Sequence, residues 1–180
     1  DYVLLKMDTS LNVIWSKKYG GTQSDHNFGM DIDLDGNIFL TGHTLSDTEN
    51  WDTYTIKINL DGEKLWESKV GNPRGFDPKY IHDETWDVKA TNDGGCIIVA
   101  GSGNEYENYN AYCNSNGTSS NQWVVYLIKF NESGNIEWQN IYFDSDGGDW
   151  AGEAITLTNE NEAVVAVDNG SFGFLKINSF

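Results

Sequence analysis

Three segments of this chain carry side chains whose types and spacing could do chemistry. Residues 31–36 read D-I-D-L-D-G, which sets Asp31, Asp33 and Asp35 at alternate positions before a glycine. A calcium loop begins that way, offering carboxylate oxygens to a hard cation. Its twelfth position should then be a bidentate Glu, and here that position is Gly42. Strand alternation would place Asp31 and Asp33 on one face and Asp35 in a turn. Ca2+ is therefore the one cofactor the sequence raises, and otherwise none is expected. Residues 71–85 hold both prolines, the sole arginine, Arg74, and one of three histidines, His82. Residues 104–122 set Tyr106, Tyr109 and Tyr112 three apart among asparagines, Asn110 included. Aromatic rings beside amides suit sugars, because C–H faces stack on rings while hydroxyls bond to amides. Tyr, Ser, Gly and Asn are equally the composition of adaptable protein-binding loops.

Catalysis has less support. His26, His43 and His82 fall at different positions of the pattern described below. None sits in a nucleophile or zinc-protease motif. There is no phosphate-cradling loop and no dinucleotide fingerprint. Carboxylates are abundant, which leaves an acid–base pair for glycoside cleavage open. No catalytic residue is assigned.

The elements that must position these residues are strands. Tyr54, Ile56 and Ile58 alternate with Thr55 and Lys57, the period of a strand. Residues 37–42 and 96–101 are short apolar runs closed by glycine, and Asp-Gly or Ser-Gly pairs punctuate the chain at 35, 61, 93 and 133. No segment keeps a helical period with caps. The chain reads as all-β. Its 180 residues carry a net charge of −17, with eleven basic residues against twenty-eight acidic. That balance excludes phosphate-backbone binding, which needs a basic face. No apolar run approaches a membrane span. Cys96 and Cys113 match no zinc spacing; a disulfide, or a buried Cys96 with an exposed Cys113, both stay open.

A repeat organises the strands. Lys6 precedes Trp15, Lys57 precedes Trp66 and Lys129 precedes Trp138, nine residues apart each time, and a fourth lysine strand carries Lys176. Lysine-to-lysine intervals are 51, 72 and 47 residues. Asp25, Asp83 and Asp149 recur ahead of apolar strands. Four short strands per unit is the signature of a propeller blade. The expected fold is a β-propeller of four-stranded repeats, about 45–70 residues each. The units run roughly 1–28 as a half blade, 29–70, 86–142 and 152–180, with insertions at 71–85 and 104–122. The whole forms one domain. The repeated lysines, tryptophans and aspartates are expected to serve the unit: packing between blades, capping carbonyls and bracing turns.

Residues 29–44 read G-M-D-I-D-L-D-G-N-I-F-L-T-G-H-T. They resemble the bacterial β-propeller repeat known as the SBBP or seven-bladed type, G-I-A-V-D-x-x-G-N-x-Y-V-T-G-x-T. The lysine strand, the turn at 59–62 and the Trp strand resemble it too. The resemblance implies a propeller of the kind found in secreted and cell-surface bacterial proteins.

Thirteen strands, grouped two, four, four and three, make a little over three blades. That favours an excerpt of a larger propeller, or a ring completed by a partner copy, over a compact three-unit ring. The expected function is non-catalytic binding of a glycan or protein at the cell surface, as in an adhesin. Tyr106, Tyr109, Tyr112, Asn110, Arg74 and His82 are the candidate ligand contacts. A polysaccharide hydrolase or lyase, and a purely structural spacer, are the rival readings. Nucleic acid and membrane insertion are not expected; self-association or flanking blades are.

Overall fold

The computed structural model describes residues 1–74, 81–104, 123–144, 149–168, 170 and 172–178. Among these residues there are thirteen strands and no helix. β1 (Tyr2–Met7) pairs with β2 (Val13–Tyr19). β3 (Asp25–Ile32), β4 (Ile38–Thr44), β5 (Asp52–Ile58) and β6 (Lys64–Val70) form a second sheet in chain order. β7 (Ile81–Ala90), β8 (Cys96–Asn104), β9 (Val124–Phe130) and β10 (Ile136–Tyr142) form a third. β11 (Ala151–Leu157), β12 (Ala163–Asp168) and β13 (Phe172–Ile177) form the fourth. Every pairing is antiparallel, and among the described residues no sheet closes into a barrel.

One turn device recurs between the strands. A side-chain oxygen at the first turn position accepts the backbone N–H groups two and four residues on. Asp8 does this for Ser10 and Asn12, Asp33 for Asp35 and Asn37, and Asn59 for Asp61 and Glu63. Asn131 and Thr158 repeat it in the later sheets. The fourth position is left-handed, and Gly36, Gly62, Gly94 and Gly134 occupy it at φ between 73° and 85°. Glycine meets that conformation without a Cβ clash. Leu11 and Asn161 take the same place with φ of 65° and 57°.

The sheets pack face to face. β8 and β9 are buried on both sides. Ile98, Ala100, Tyr126, Ile128 and Phe130 face Phe39 and Trp66 of the second sheet. The alternate residues Ile97, Val99, Val125 and Leu127 face Ile155, Val165 and Val167 of the fourth. This is why those strands read as continuous apolar runs, since each face has a partner. Tyr2 packs on Leu40, Tyr54 and Ile56, and its hydroxyl donates to the Tyr54 carbonyl at 2.8 Å, joining the first sheet to the second. β3 lies against β7, and β7 against β11. Two carboxylates stitch these leading strands together: Asp31 accepts from Ala90 N–H at 2.9 Å, and Asp87 from Ile155 N–H at 3.0 Å.

The strand limits shift two expected boundaries. β3 begins at Asp25, so residues 25–28 belong with the unit that follows them. β7 begins at Ile81, so His82 and Asp83 lie in a strand and not in an inserted loop.

Candidate functional site

The leading strands of the last three sheets each carry a bulge. Register shifts between Asn27 and Gly29, between Thr85 and Asp87, and between Gly152 and Ala154. The extra residues are Phe28, Trp86 and Glu153. A bulge re-aims a side chain that alternation would otherwise fix. Gly29 is required beside the first bulge, because a Cβ there would lie 2.8 Å from the Asp87 backbone. Phe28 and Trp86 meet edge to face at 4.7 Å.

Beside these two rings the structure gathers the histidines. His43 stacks on Phe28 at 5.1 Å and meets Trp51 at 4.9 Å and His26 at 5.3 Å. His26 lies 4.7 Å from Trp51. His43 is buried, and burial drives its pKa down to about 4; Glu84 opposes the shift and His26 and His82 add to it. The ring is neutral at pH 7. His82 Nδ1 lies 3.2 Å from a Glu84 oxygen. Burial works to raise the Glu84 carboxyl, but the His82 hydrogen bond and the surrounding histidines outweigh it and hold the group below its ordinary value.

Across Trp86 from the histidines opens a cavity of about 330 Å³, lined by Trp86, Trp123, Glu84, Asp149, Glu153 and Asp168 together with Ala151 and Gly170. Trp123 is laid flat on β8, because a Cβ at Gly101 or Gly103 would run into its indole. Its backbone is pinned at both ends. Its N–H donates to Asp149 at 2.9 Å, and its carbonyl accepts from Trp150 N–H at 2.9 Å. Burial raises the Glu153 carboxyl, and the Asp168 charge raises it further. Asp168 accepts from Gly170 N–H at 3.0 Å. A second hollow, about 570 Å³, shares Glu153, Asp168 and Gly170 and continues to Phe172.

The residues singled out in the sequence are distributed otherwise. Tyr106, Tyr109, Tyr112, Asn110 and Cys113 lie outside the described residues. Cys96 is a buried free thiol whose pKa burial pushes up. Arg74 reaches the Ser102 carbonyl at 3.3 Å. Asp31, Asp33 and Asp35 do not converge. Asp31 faces the neighbouring sheet, and Asp33 is buried against Lys57 at 2.9 Å while capping its turn. Asp35 is an exposed turn residue.

The repeated lysines reach turn carbonyls and acids. Lys6 donates to the Leu60 carbonyl and Lys57 to the Gly94 carbonyl, each in the next sheet. Lys129 pairs with Asp93 at 2.7 Å and Glu137 at 2.9 Å, and Lys176 with Glu162 at 2.8 Å. Trp66 packs between the second and third sheets and donates to the Glu132 carbonyl; Trp138 packs between the third and fourth. Trp15 is half-buried, with the Lys17 ammonium above its ring. Asp25 accepts from Gly21 N–H and the Thr44 hydroxyl, Asp83 from Asn72 N–H, and Asp149 from Trp123 N–H.

Sequence reasoning missed Trp51, Trp86, Trp123, Glu84 and Glu153. Three of them carried a signal. The 72-residue offset that aligns Lys57 with Lys129 also aligns Trp51 with Trp123. The 58-residue offset from Asp25 to Asp83 aligns Phe28 with Trp86.

No family model and no curated protein sequence matches the chain. Among solved structures it is similar to a protein of unknown function from Bacteroides caccae, at 9% identity and a TM-score of 0.49. That match covers 99% of this chain and 58% of the other, so this chain spans less than two thirds of that protein's length.

Proposed function

We propose that this chain is a β-propeller module of a bacterial cell-surface or secreted protein, and that it binds a glycan without transforming it. The observation that carries the reading is the cavity between Trp86 and Trp123. Two indole faces set among four carboxylates offer both halves of sugar recognition, a stacking surface and hydroxyl acceptors. The neighbouring hollow extends the trough past one sugar unit. Successive leading strands side by side, sheets stacked face to face and one turn device throughout support the propeller reading. The SBBP-like repeat supports it too, and is the ground for the surface location. Flanking blades, or a second copy, would cover the outer faces of the end sheets.

Screening of the chain against immobilised glycans tests the function. Binding is expected to fall about tenfold or more in Trp123→Ala and in Trp86→Ala, the loss of one stacking platform, with the melting transition of each variant used to verify folding. Binding carried by protein partners alone would overturn the glycan assignment, and no ligand of either kind would favour a structural spacer.

One observation favours an enzyme as the second reading. Glu84 is held low and Glu153 is raised within a single cavity, the arrangement of a carboxylate and an acid prepared for glycoside cleavage. New reducing ends released from a bound polysaccharide, and abolished in Glu153→Gln, would establish it over simple binding.

A further inference from the structure

We propose that the Trp86–Trp123 cavity selects a cationic amino sugar, a hexosamine whose amine is free and protonated, as in a de-N-acetylated hexosamine polymer. The inference rests on the glycan-binding reading and narrows it to one chemical class.

Charge accounting carries the argument. Glu84, Asp149, Glu153 and Asp168 line the cavity, and among the described residues no Lys, Arg or His lines it. Several acids elsewhere have a lysine partner: Asp33 has Lys57, Asp93 has Lys129, Glu162 has Lys176. Glu84 has His82. Among the described residues no ion pair reaches Asp149, Glu153 or Asp168. Asp149 is satisfied in part by Trp123 N–H and Asp168 in part by Gly170 N–H, whereas Glu153 faces Asp168 as a like charge. Such a site repels uronic acids and sulfated sugars and draws a cation.

The walls narrow the cation to one attached to a ring. A cation near an indole face gains from the ring quadrupole. A pyranose presents C–H faces that stack on the same indoles. An amino sugar brings both in one rigid unit, with the ammonium beside the stacking face. The cavity's 330 Å³ falls within the ~300–1,000 Å³ of small-ligand sites. The adjoining hollow continues the carboxylate lining through Glu153 and Asp168, which suits a polymer bearing an amine on each unit.

Calorimetric titration of the chain with a β-linked glucosamine tetramer, its fully N-acetylated counterpart, a neutral glucose tetramer and an oligolysine tests the proposal. The glucosamine tetramer is expected to bind about tenfold or more tightly than either neutral sugar, and to lose that advantage in about 0.5 M salt. Glu153→Gln, at an exposed position, is expected to weaken the amine ligand about fivefold, several times more than it weakens either neutral sugar. Trp123→Ala should lose all sugars. Equal affinity for the three sugars overturns the amine class and leaves the glycan reading standing. Binding of none of the sugars overturns both. Oligolysine binding more tightly than the glucosamine tetramer, with the same Trp123 dependence, overturns the sugar in favour of a lysine-rich protein.

Discussion

Asp52 and Asp83 face Gly71 at the root of the segment leading to β7. A Cβ at Gly71 would run into both carboxyl groups. Burial raises Asp83 to about 7, with the Asp52 charge adding to the rise and Ser102, Asn72 and Arg74 opposing it. Burial likewise raises Asp52 to about 6, against the pull of Lys69. Tyr126 lies in the same field and is itself raised, by burial first and then by both acids. The sign follows from proton linkage. Below the unfolded value of 3.8, folded and unfolded chains both hold the protons. Between there and pH 6–7 the folded chain keeps protons that the unfolded chain releases, so stability falls as pH rises. Above pH 7 the loss is complete. His43 runs the opposite way: its neutral form is favoured in the fold, and its contribution is lost as pH falls from 6.5 through about 4. Asp52→Asn removes one acid and leaves His43 unchanged, so the difference between variant and parent isolates the acid. Solvent reaches part of the Asp52 side chain and screens the effect. The variant is expected to melt about 3 °C above the parent at pH 8, with the two curves converging near pH 4. A gap that stays constant with pH in thermal melts would refute the protonation account.

At the scale of the element, the turns carry the most repetitive information. Leu11 holds the left-handed position that glycine fills in four of the sibling turns, and its side chain is 78% exposed. Nothing in the packing compensates the conformation, so Leu11→Gly is expected to stabilise the chain by about 1 kcal/mol. Denaturant melts at fixed pH would read it; unchanged or lower stability would show that unfolded-state entropy outweighs the strain. Four of these turns were legible in the sequence as the Asp-Gly or Ser-Gly pairs at 35, 61, 93 and 133, because such a pair has few other uses between apolar runs. The buried strands were legible for a related reason: β8 and β9 have partners on both faces, so their sequences are apolar throughout. The lysine–tryptophan spacing marked β5 with β6 and β9 with β10, because each pair meets across one hairpin, Lys57 opposite Trp66 and Lys129 opposite Trp138. The bulges were not legible. One extra residue in β3, β7 or β11 changes no composition and breaks no period long enough to notice, yet it sends Phe28, Trp86 and Glu153 toward the site. The histidines were scattered in sequence for the same reason. His26 and His43 are cross-strand partners, whereas His82 arrives on β7 of the next sheet, a contact that only sheet-on-sheet packing creates.

Across the whole molecule, the same packing that buries the middle sheets leaves the two outer faces open. In β1 the inward residues Tyr2 and Leu4 are covered, while Val3, Leu5 and Met7 on the alternate face are 45–56% exposed. In β13 the inward Leu175 and Ile177 pack on the core, while Phe172 and Phe174 are 78% and 67% exposed and touch each other at 4.8 Å. Each outer face therefore has the apolar character of a face that, inside the stack, would meet another sheet. Contiguous apolar patches of this kind mark contact surfaces. A patch at one end that meets a different patch at the other end makes a head-to-tail contact, which continues into rings or filaments rather than stopping at a dimer. The isolated 180-residue chain is accordingly expected to associate with increasing concentration. The double variant Leu5→Glu with Phe174→Glu places a charge on each face without touching the buried core, and is expected to sediment as a monomer with an unchanged melting midpoint. The two single variants separate the geometries. Head-to-tail growth needs both faces, so either substitution alone caps it at short species. Pairing of like faces survives as a dimer when the opposite face is altered. Sedimentation velocity of the parent and the three variants distinguishes these outcomes, and a parent that stays monomeric at all concentrations would show that the −17 charge keeps the faces apart.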